Sequence, residues 1–412
     1  MNPVDSVDFS DPIAADRHLE PPRLGARVQP HGILLVLDEP SLEILQVSNN
    51  TQALLGRTPD RLLGQTFDSL LDPFQSDRLK AGLKENNLDY INPSKIWIRK
   101  QGDDYAIFDC IFHRNANGML ICELEPTVSQ ESIPFLSFYH LAKASIERLQ
   151  SGQTLSDYCQ TIVHEIRRVT AYDRVMLYKF DERDRGVVLA EEKLDSMESY
   201  LGLHFPESDI PGPAREMLHS NWIRTIVDAS AQAVDLVSGT EAAGARSLDL
   251  THSILRSASD CHVEYLHNMG VGASLTISLI AENKLWGIIA CHHQTPKYVP
   301  YELRKACEFL GRVIFAEISS REETADYDYR MHLNHVSSVL VDAMAQADIF
   351  TEGLVHGSPN ILDLAAASGA AICFGNTITT IGKTPSREDL QHLVQWLAHN
   401  VHNEAVVNTS LW

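Results

Sequence analysis

The feature that most constrains the fold is a helical pattern that is too long for a single domain. Apolar residues recur at helical spacing from Tyr301 to about residue 345, where they form two stripes. The first stripe contains Leu303, Ala306, Leu310, Val313, Ile314 and Ile318, and the second contains Met331, Leu333, Val336, Val339 and Leu340. A helix of this length connects two domains and offers an apolar face to a second copy. We therefore predict a connecting helix over residues 300–345 and a homodimer formed through it.

The chain before this helix predicts two mixed α+β domains, each built on an antiparallel sheet. Residues 26–128 contain a hairpin around a proline turn, short helical signals, and strands separated by turn dipeptides. Residues 140–315 begin with two amphipathic helices, and Thr154 and Ser156 are candidate caps of the second. Their later part contains a second hairpin, "ASLTISLI" and "LWGIIACHH". Residues from about 195 to 260 predict long irregular loops that form the walls of a ligand pocket.

The two ends of the chain differ from these domains. Residues 1–25 are acidic and rich in proline, which predicts a poorly ordered arm. Residues 346–412 begin a third α/β unit, but the sequence stops after one helical segment, "SREDLQHLVQWLAHNV". We therefore expect this third domain to be truncated.

Charge and cysteine content exclude several classes of protein. The net charge of −21 opposes binding to nucleic acid or to an anionic membrane surface. No apolar run approaches the ~18 residues that span a bilayer, and the N-terminus lacks the features of a signal peptide. The seven cysteines are odd in number and contain no C-x-x-C pair, which argues against a disulfide framework or a zinc ribbon. These features predict a cytoplasmic protein.

Cys261, in "SDCHVEYL", is the cysteine with the strongest functional signal. A free cysteine is more often a buried apolar residue than a reactive one. However, Cys261 follows the long loop region and begins a predicted helix, "HVEYLHNM". A helix N-terminus stabilises a thiolate and favours nucleophilic chemistry at the sulfur.

Further polar residues surround the same predicted pocket. Strand alternation places Ser274, Thr276 and Ser278 on one face of the first hairpin strand, and it places His292 on the face of Ile288 and Ala290. A sheet face with hydroxyl groups suits a pocket for a polar ligand. The loops add Asp209 on a proline-stiffened segment, and they add two arginines, Arg224 and Arg256. Guanidinium groups bind carboxylates in a bidentate manner.

Three mechanisms remain open from these residues alone. A Cys/His hydrolase would use Cys261 with His262 or His292, but no oxyanion loop is evident. A metal site could recruit Cys261, His262, Cys291, His292 and His293, although neighbours on a strand point in opposite directions and five ligands cannot converge. A covalently tethered cofactor with two carboxylates would use the thiol, both arginines and the hydroxyl groups together.

Several long segments resemble the photosensory region of cyanobacterial phytochromes. They are "LGLHFPESDIPGPAR", "NWIRTIVD", "ILRSASDCHVEYLHNMGVGASLTISLI" and "LWGIIACHH". The resemblance covers nearly the whole chain and implies a PAS domain, a GAF domain, the long helix and the start of a PHY domain. It also implies a figure-of-eight knot, in which the N-terminal arm threads through a loop of the GAF domain.

The resemblance implies that a linear tetrapyrrole (bilin) is bound through a thioether to Cys261. The expected pigment is phycocyanobilin, with biliverdin less favoured because the arm contains no cysteine. Asp209 and His262 would surround the pyrrole nitrogens, and Arg224 and Arg256 would pair with the propionates, helped by Ser274 and Thr276. His292 would bond the ring D carbonyl, and Tyr178, Phe205 and Tyr265 would surround ring D. Many relatives have tyrosine where Phe205 stands.

The implied function is red and far-red light sensing through isomerisation of the bridge between rings C and D. The chain itself is expected to have no catalytic activity, and its output would pass to a histidine kinase module or a response regulator. The alternative is a GAF-type sensor of a small molecule such as a cyclic nucleotide, in which Cys261 is structural. An acyl-transfer enzyme is the third alternative.

Overall fold

The computed structural model describes residues 26–85, 87–100, 105–127, 135–149, 154–239, 248–281, 284–375 and 377–400. The predicted arm, residues 1–25, lies outside this part of the chain. The structure divides into two compact units, Met1–Ile318 and Ser319–Trp412.

Antiparallel strands and helices make up both units. The strands are β1 (Arg27–Val28), β2 (Ile33–Leu37), β3 (Ile44–Ser48), β4 (Ser94–Arg99), β5 (Tyr105–Arg114), β6 (Leu120–Pro126), β7 (Arg174–Phe180), β8 (Gly186–Lys193), β9 (His204–Phe205), β10 (Ile223–Ile226), β11 (Val234–Ser238), β12 (Ala273–Ala281), β13 (Lys284–His293), β14 (Gly369–Phe374) and β15 (Thr377–Gly382). The α-helices are Thr51–Leu55, Pro73–Leu83, Phe135–Leu149, Leu155–Thr170, Gly212–Ser220, Asp260–Asn268, Tyr301–Gln346, Phe350–Val355, Ile361–Ala365 and Arg387–Asn400. Short 3₁₀ helices are Pro59–Arg61, Phe67–Leu70, Leu88–Tyr90 and Glu207–Asp209. The mixed α+β class predicted from the sequence is confirmed.

The first sheet has seven strands in the order β1-β11-β3-β2-β6-β5-β4. Strand β2 is buried along its whole length because both faces of the sheet are covered. Its residues Ile33, Leu35 and Leu37 pack into the main core with the helices of residues 51–83, whereas Leu34 and Val36 pack with Leu250 and Leu255 from a later segment. Strand β11 also belongs to that later segment, so residues far apart in sequence complete this sheet.

The second sheet has six strands in the order β10-β12-β13-β7-β8-β9. The helix Leu155–Thr170 packs on one face, and it begins with a capping box between Thr154 and Asp157. The start of the long helix Tyr301–Gln346 packs on the same face through Cys307, Leu310 and Ile314. That face is the apolar core of the domain, and the opposite face carries the polar residues of the candidate site.

The stretch between residues 195 and 260 is more regular than the sequence predicted. It contains β9, β10, β11 and the helix Gly212–Ser220, so the prediction of irregular loops was wrong over these elements. The strands have only two to five residues, which is too short for apolar alternation to stand out. Strand β11 nevertheless carries a signal, since Val234 and Leu236 alternate with Asp235.

The joint between the two sheets involves the first described strand. Val28 pairs with Val234 on one side and forms a bridge with Arg256 on the other. Both partners belong to the segment that leaves the second sheet after β10 and returns to it before β12. The knot expected from the sequence requires the path of residues 1–25, which lies outside the described residues.

The second unit contains the hairpin of β14 and β15 and three helices after residue 349. Phe350 and Phe374 meet edge to face at a centroid distance of 4.7 Å, which joins the first of these helices to the hairpin. Among the helices that the structure describes in either unit, none combines the length and apolar character that a bilayer span requires.

Candidate ligand site

The outer face of the second sheet brings together residues from three adjacent strands. Arg224 on β10 lies opposite Thr276 on β12, and Ser274 lies opposite His292 on β13. Directly opposed residues of an antiparallel pair share a face. The alternation that the sequence predicted for this hairpin is therefore confirmed. Ser278 also points to this side, but its hydroxyl group donates to the carbonyls of Leu218 and Asn221 at 2.7 and 2.9 Å and so anchors the helix Gly212–Ser220.

Two arginines form the most positive part of the site. The Nη2 of Arg224 donates to the carbonyl oxygens of Arg256 and Ser257 at 2.7 and 3.0 Å. In the part of the chain that the structure describes, no carboxylate forms an ion pair with either guanidinium group. Desolvation, followed by the charge of Arg256, lowers the pKa of Arg224 to about 9, and desolvation also lowers the pKa of Arg256.

Two adjacent, partly buried cations are costly unless a negative group compensates them. A ligand with carboxylate groups would offset this cost and would return both pKa values toward their usual range. The pair therefore fits an anionic ligand better than it fits a purely structural role.

His292 is a buried histidine with an unused ring nitrogen. Its side chain is 7% exposed, and its Nδ1 finds no hydrogen-bond partner among the described residues. Desolvation, together with the nearby charges of Arg174 and His262, lowers the pKa of His292 to about 3. The ring is therefore neutral at physiological pH, and it can offer a hydrogen bond to a ligand on the outer face of the sheet.

The helix Asp260–Asn268, here called the cysteine helix, presents Cys261 in its first turn. Ser259 caps this helix, since its Oγ accepts the backbone N–H of His262 at 3.3 Å. Of the seven cysteines, only Cys261 and Cys373 are exposed, and Cys373 belongs to the second unit. The predicted position of Cys261 at a helix N-terminus is confirmed, and its thiol group is accessible to a reagent.

His262 and Tyr265 extend the site along the cysteine helix. Their rings are nearly parallel, at 13°, with centroids 6.5 Å apart. Desolvation and the charge of Arg224 lower the pKa of His262 to about 4. His262 is thus electrostatically linked both to the arginine pair and to His292.

Aromatic side chains form the end of the site near β7 and β9. The buried ring of Tyr178 lies 5.8 Å from that of Phe205 and 5.2 Å from that of Phe180. Asp209 lies close by, on the 3₁₀ helix Glu207–Asp209, and desolvation raises its pKa. Burial and then the charge of Asp209 raise the pKa of Tyr178, which places the carboxyl group near the phenol.

Supporting residues at this end were not predicted from the sequence. Arg174 is buried, its Nε lies 3.1 Å from Oε1 of Glu191, and its guanidinium stacks 3.9 Å from the ring centroid of Tyr200. Glu191 in turn accepts the hydroxyl of Ser199 at 2.6 Å. These contacts hold the segment that leads to Phe205. An arginine and a glutamate within apolar strands were the signal that could have identified them.

A separate cavity of about 360 Å³ borders the first turn of the cysteine helix. Its lining includes Asp260 and Val263 but neither Arg224, Arg256 nor His292. Asp260 also lies 3.4 Å from Arg27, at the start of β1. The cavity is therefore a neighbour of the site rather than its centre.

The metal interpretation receives no geometric support from the described residues. Within the described ranges, no group of three or more histidine, cysteine, aspartate or glutamate side chains is arranged to hold a metal ion. The residues do fit a ligand with acidic groups that also offers a hydrogen-bonding partner for His292 and an electrophilic group for Cys261.

Three family models match successive parts of the chain. The PAS fold model matches residues 18–127, the GAF domain model residues 154–320, and the model described as the phytochrome region residues 333–412. The cyanobacterial phytochrome A of Nostoc sp. is 62% identical over 391 residues, which are 95% of this chain and 51% of that protein. The chain spans about half the length of the curated relatives it matches.

Solved structures show the same arrangement of elements. The photosensory core module of a Stigmatella aurantiaca phytochrome has a TM-score of 0.76 and 40% identity, and the match covers 96% of this chain and 77% of that one. The chromophore-binding domain of Stigmatella aurantiaca phytochrome P1 has a TM-score of 0.68 and 43% identity, over 71% of this chain and 96% of that one. These matches do not favour the cyclic-nucleotide alternative.

Proposed function

This chain belongs to the phytochrome family, and from that membership we propose that it is the photosensory part of a red and far-red light receptor. We assign residues 26–128 to a PAS domain, 140–315 to a GAF domain that binds the pigment, 300–345 to the connecting helix, and 346–412 to the start of a PHY domain, after an arm of residues 1–25. The family matches to residues 18–127, 154–320 and 333–412 support this division.

The proposed ligand is a linear tetrapyrrole with two propionate groups, and phycocyanobilin is the favoured one. The observation that carries the proposal is the pair of partly buried guanidinium groups of Arg224 and Arg256, which form no ion pair with a carboxylate in the described chain. Their bidentate geometry matches two carboxylates, and such pairs are strong in a desolvated site. Ser274 and Thr276, on the same face, can donate further hydrogen bonds.

Cys261 would hold the pigment permanently. Its Sγ adds to the ethylidene side chain of ring A, so that one C–S bond forms and the thiol proton ends on the pigment, with no oxidant or reductant required. The thiol is exposed in the first turn of the cysteine helix, as this reaction needs. The site thereby fixes one end of the ligand, while the arginine pair fixes its middle.

The remaining residues orient the ligand and respond to light. The pigment supplies the absorption of red light and the isomerisation of the bridge between rings C and D. His292 would bond the ring D carbonyl, and Tyr178, Phe205 and Tyr265 would form the walls around that ring. Asp209 and His262 would surround the pyrrole nitrogens. Rotation of ring D would change which of these contacts are satisfied, and this change would bias the protein between two states.

The decisive experiment is assembly of the purified protein with phycocyanobilin. The wild type should become blue-green, give a pigment band that fluoresces with zinc on a denaturing gel, and show a red/far-red difference spectrum. Cys261→Ala should lose the covalent band, whereas Cys373→Ala, which removes the other exposed thiol, should keep it. A wild type that stays colourless, or a band that persists in Cys261→Ala, would refute the proposal.

We further propose that the signal leaves through the long helix and a homodimer, toward a histidine kinase module or a response regulator. The apolar residues along Tyr301–Gln346 support this, since Met331 and Val341 remain exposed at 52% and 60%. Light scattering should give the mass of a dimer. A strictly monomeric mass at micromolar concentration would contradict this part.

A further inference from the structure

A buried glutamate of the first sheet contacts the segment that carries Arg256, one of the two arginines of the site. Glu123 on β6 is 1% exposed. Its Oε1 accepts the backbone N–H of Ile254 at 3.1 Å, and its Oε2 accepts that of Leu255 at 2.7 Å. Both oxygens of this carboxyl group therefore accept hydrogen bonds from two successive backbone amides, and these amides belong to a segment that is distant in sequence.

That segment determines where both arginines lie. Arg256 is the next residue after Leu255, so its Cα is fixed by the Glu123 contacts. Arg224 forms no ion pair with a carboxylate among the described residues, although the charge of Glu123 acts on it, and it donates to the carbonyl oxygens of Arg256 and Ser257. A displacement of residues 254–257 would therefore move one guanidinium group and remove the hydrogen-bond acceptors of the other.

A second contact from the first sheet reinforces the same segment. The backbone N–H of Gln29 donates to the carbonyl of Leu255 at 2.7 Å, and its side-chain Nε2 donates to the carbonyl of Thr225 at 2.9 Å. Thr225 follows Arg224 on β10. Gln29 therefore connects β10, which carries Arg224, to the segment that carries Arg256. Glu123 binds the same segment from β6.

The neighbouring glutamate of the same strand has a different role. Glu125 lies on the same face of β6 as Glu123 and is also fully buried, but it pairs with Arg304 at 2.9 Å and with His31 at 3.3 Å. It makes none of the contacts to residues 254–257. The two positions thus form a natural pair for comparison, with the same side chain, strand and burial but different partners.

We propose that Glu123 is a positioning residue for ligand binding: it fixes residues 254–257 so that Arg224 and Arg256 face the two carboxylates of the ligand. The inference rests on the proposed function, because it assumes a ligand with acidic arms. It assigns to the PAS domain an indirect part in ligand recognition, through a residue that does not touch the ligand.

The test compares a pigment with free acid groups and the same pigment with both groups blocked. Binding is measured in a Cys261→Ala background, where it is reversible, by titration with phycocyanobilin and with its dimethyl ester. Glu123→Gln replaces one acceptor oxygen by an N–H donor and should weaken binding of the free acid about tenfold, as expected for hydrogen bonds that orient charged groups. Binding of the ester should change less than about twofold, because it forms no ion pair.

Glu125→Gln in the same background is the matched control, and it should leave the ratio of acid to ester affinity unchanged even if it lowers the thermal stability. Glu123→Asp is a milder change, because it keeps the carboxylate and shortens the side chain by one methylene. It should also weaken binding of the free acid and not of the ester, but by a smaller factor. An equal effect of Glu123→Gln on acid and ester would overturn the inference. Failure of both Glu123 variants to fold would also overturn it, because Glu123 would then act on stability alone.

The outcomes separate this inference from the function itself. If the parent Cys261→Ala protein binds neither pigment and the wild type forms no covalent band, the proposed function fails. If the parent binds both pigments and the Glu123 variants keep its acid-to-ester ratio, only the positioning role fails.

Discussion

At the scale of single residues, the buried histidine of the sheet face has a measurable effect on stability. The unfolded imidazole titrates at a pKa of about 6.5, whereas burial and neighbouring cations lower the pKa of His292 to about 3. Below pH 6.5 the unfolded chain therefore binds a proton that the folded chain excludes. This group opposes folding progressively as the pH falls, and its contribution is constant above about pH 7.

We predict that His292→Gln reduces the pH dependence of stability in the pigment-free protein. Between pH 7 and pH 5 the wild type should lose about 2 kcal/mol more of its free energy of unfolding than the variant does. Denaturant titrations at several pH values measure this difference. Above about pH 7 the free energies of unfolding of the wild type and the variant should change with pH in parallel, which serves as the internal control. Equal slopes at acidic pH would show that His292 is not held neutral.

A glycine fixes the aromatic end of the site. A Cβ atom on Gly186 would lie 1.6 Å from Cζ of Tyr178, which is an impossible contact. We predict that Gly186→Ala displaces the Tyr178 ring, lowers the free energy of unfolding by about 1–3 kcal/mol, and shifts the absorption of the assembled protein. Gly212→Ala is the control, because its nearest neighbour would be Arg215 at 4.0 Å. Similar stabilities of the two variants would contradict this account.

The sequence predicts some of these residues better than others. Alternation alone placed Ser274 and Thr276 on one face of their strand and His292 on the face of Ile288 and Ala290, since the period of a strand is fixed by its backbone. The supporting charges, Glu123 and Arg174, were missed. Both lie in apolar strands, and their partners come from segments more than 15 residues away in sequence. Alternation can identify such a residue as buried, but it cannot identify its partner.

At the scale of elements, the cysteine helix depends on its cap. Ser259 accepts the N–H of His262 and so closes the turn that presents Cys261. We predict that Ser259→Ala destabilises this turn by about 1 kcal/mol and slows covalent pigment attachment about fivefold. Ser259→Asp keeps a capping oxygen and should retain the wild-type rate. The time course of the zinc-fluorescent band measures both rates, and an unchanged rate in Ser259→Ala would exclude a role of the cap.

Elements with long periodic patterns were predicted well, and short strands were not. The hairpin of β12 and β13 has nine and ten residues, enough for its alternation to be read. Strand β11 has five residues and joins a sheet of the preceding domain, at β3. No local pattern states which sheet a short strand will join, because that choice depends on tertiary contacts. The regular parts of residues 195–260 were missed for this reason.

At the scale of the whole molecule, the first unit is held together by polar contacts between its two sheets. Strand β6 supplies two buried glutamates to this joint. Glu123 accepts hydrogen bonds from residues 254 and 255, and Glu125 binds Arg304 in the first turn of the long helix. One strand of the first sheet therefore contacts both the segment that carries Arg256 and the helix through which a signal is proposed to leave.

The pair of Glu125 and Arg304 gives a final prediction about this joint. Burial alone would raise the pKa of Glu125, but the adjacent Arg304 lowers it to about 2, so the carboxylate remains charged in the interior. Arg304→Met would leave that charge without its partner and should cost about 3–5 kcal/mol. Adding Glu125→Gln removes the stranded charge, so the double variant should be more stable than Arg304→Met alone.

The control is Lys305→Met, which breaks the half-exposed pair with Glu308 and should cost at most about 1 kcal/mol. If denaturant titrations gave Arg304→Met and Lys305→Met the same stability, the buried pair could not be what joins strand β6 to the long helix.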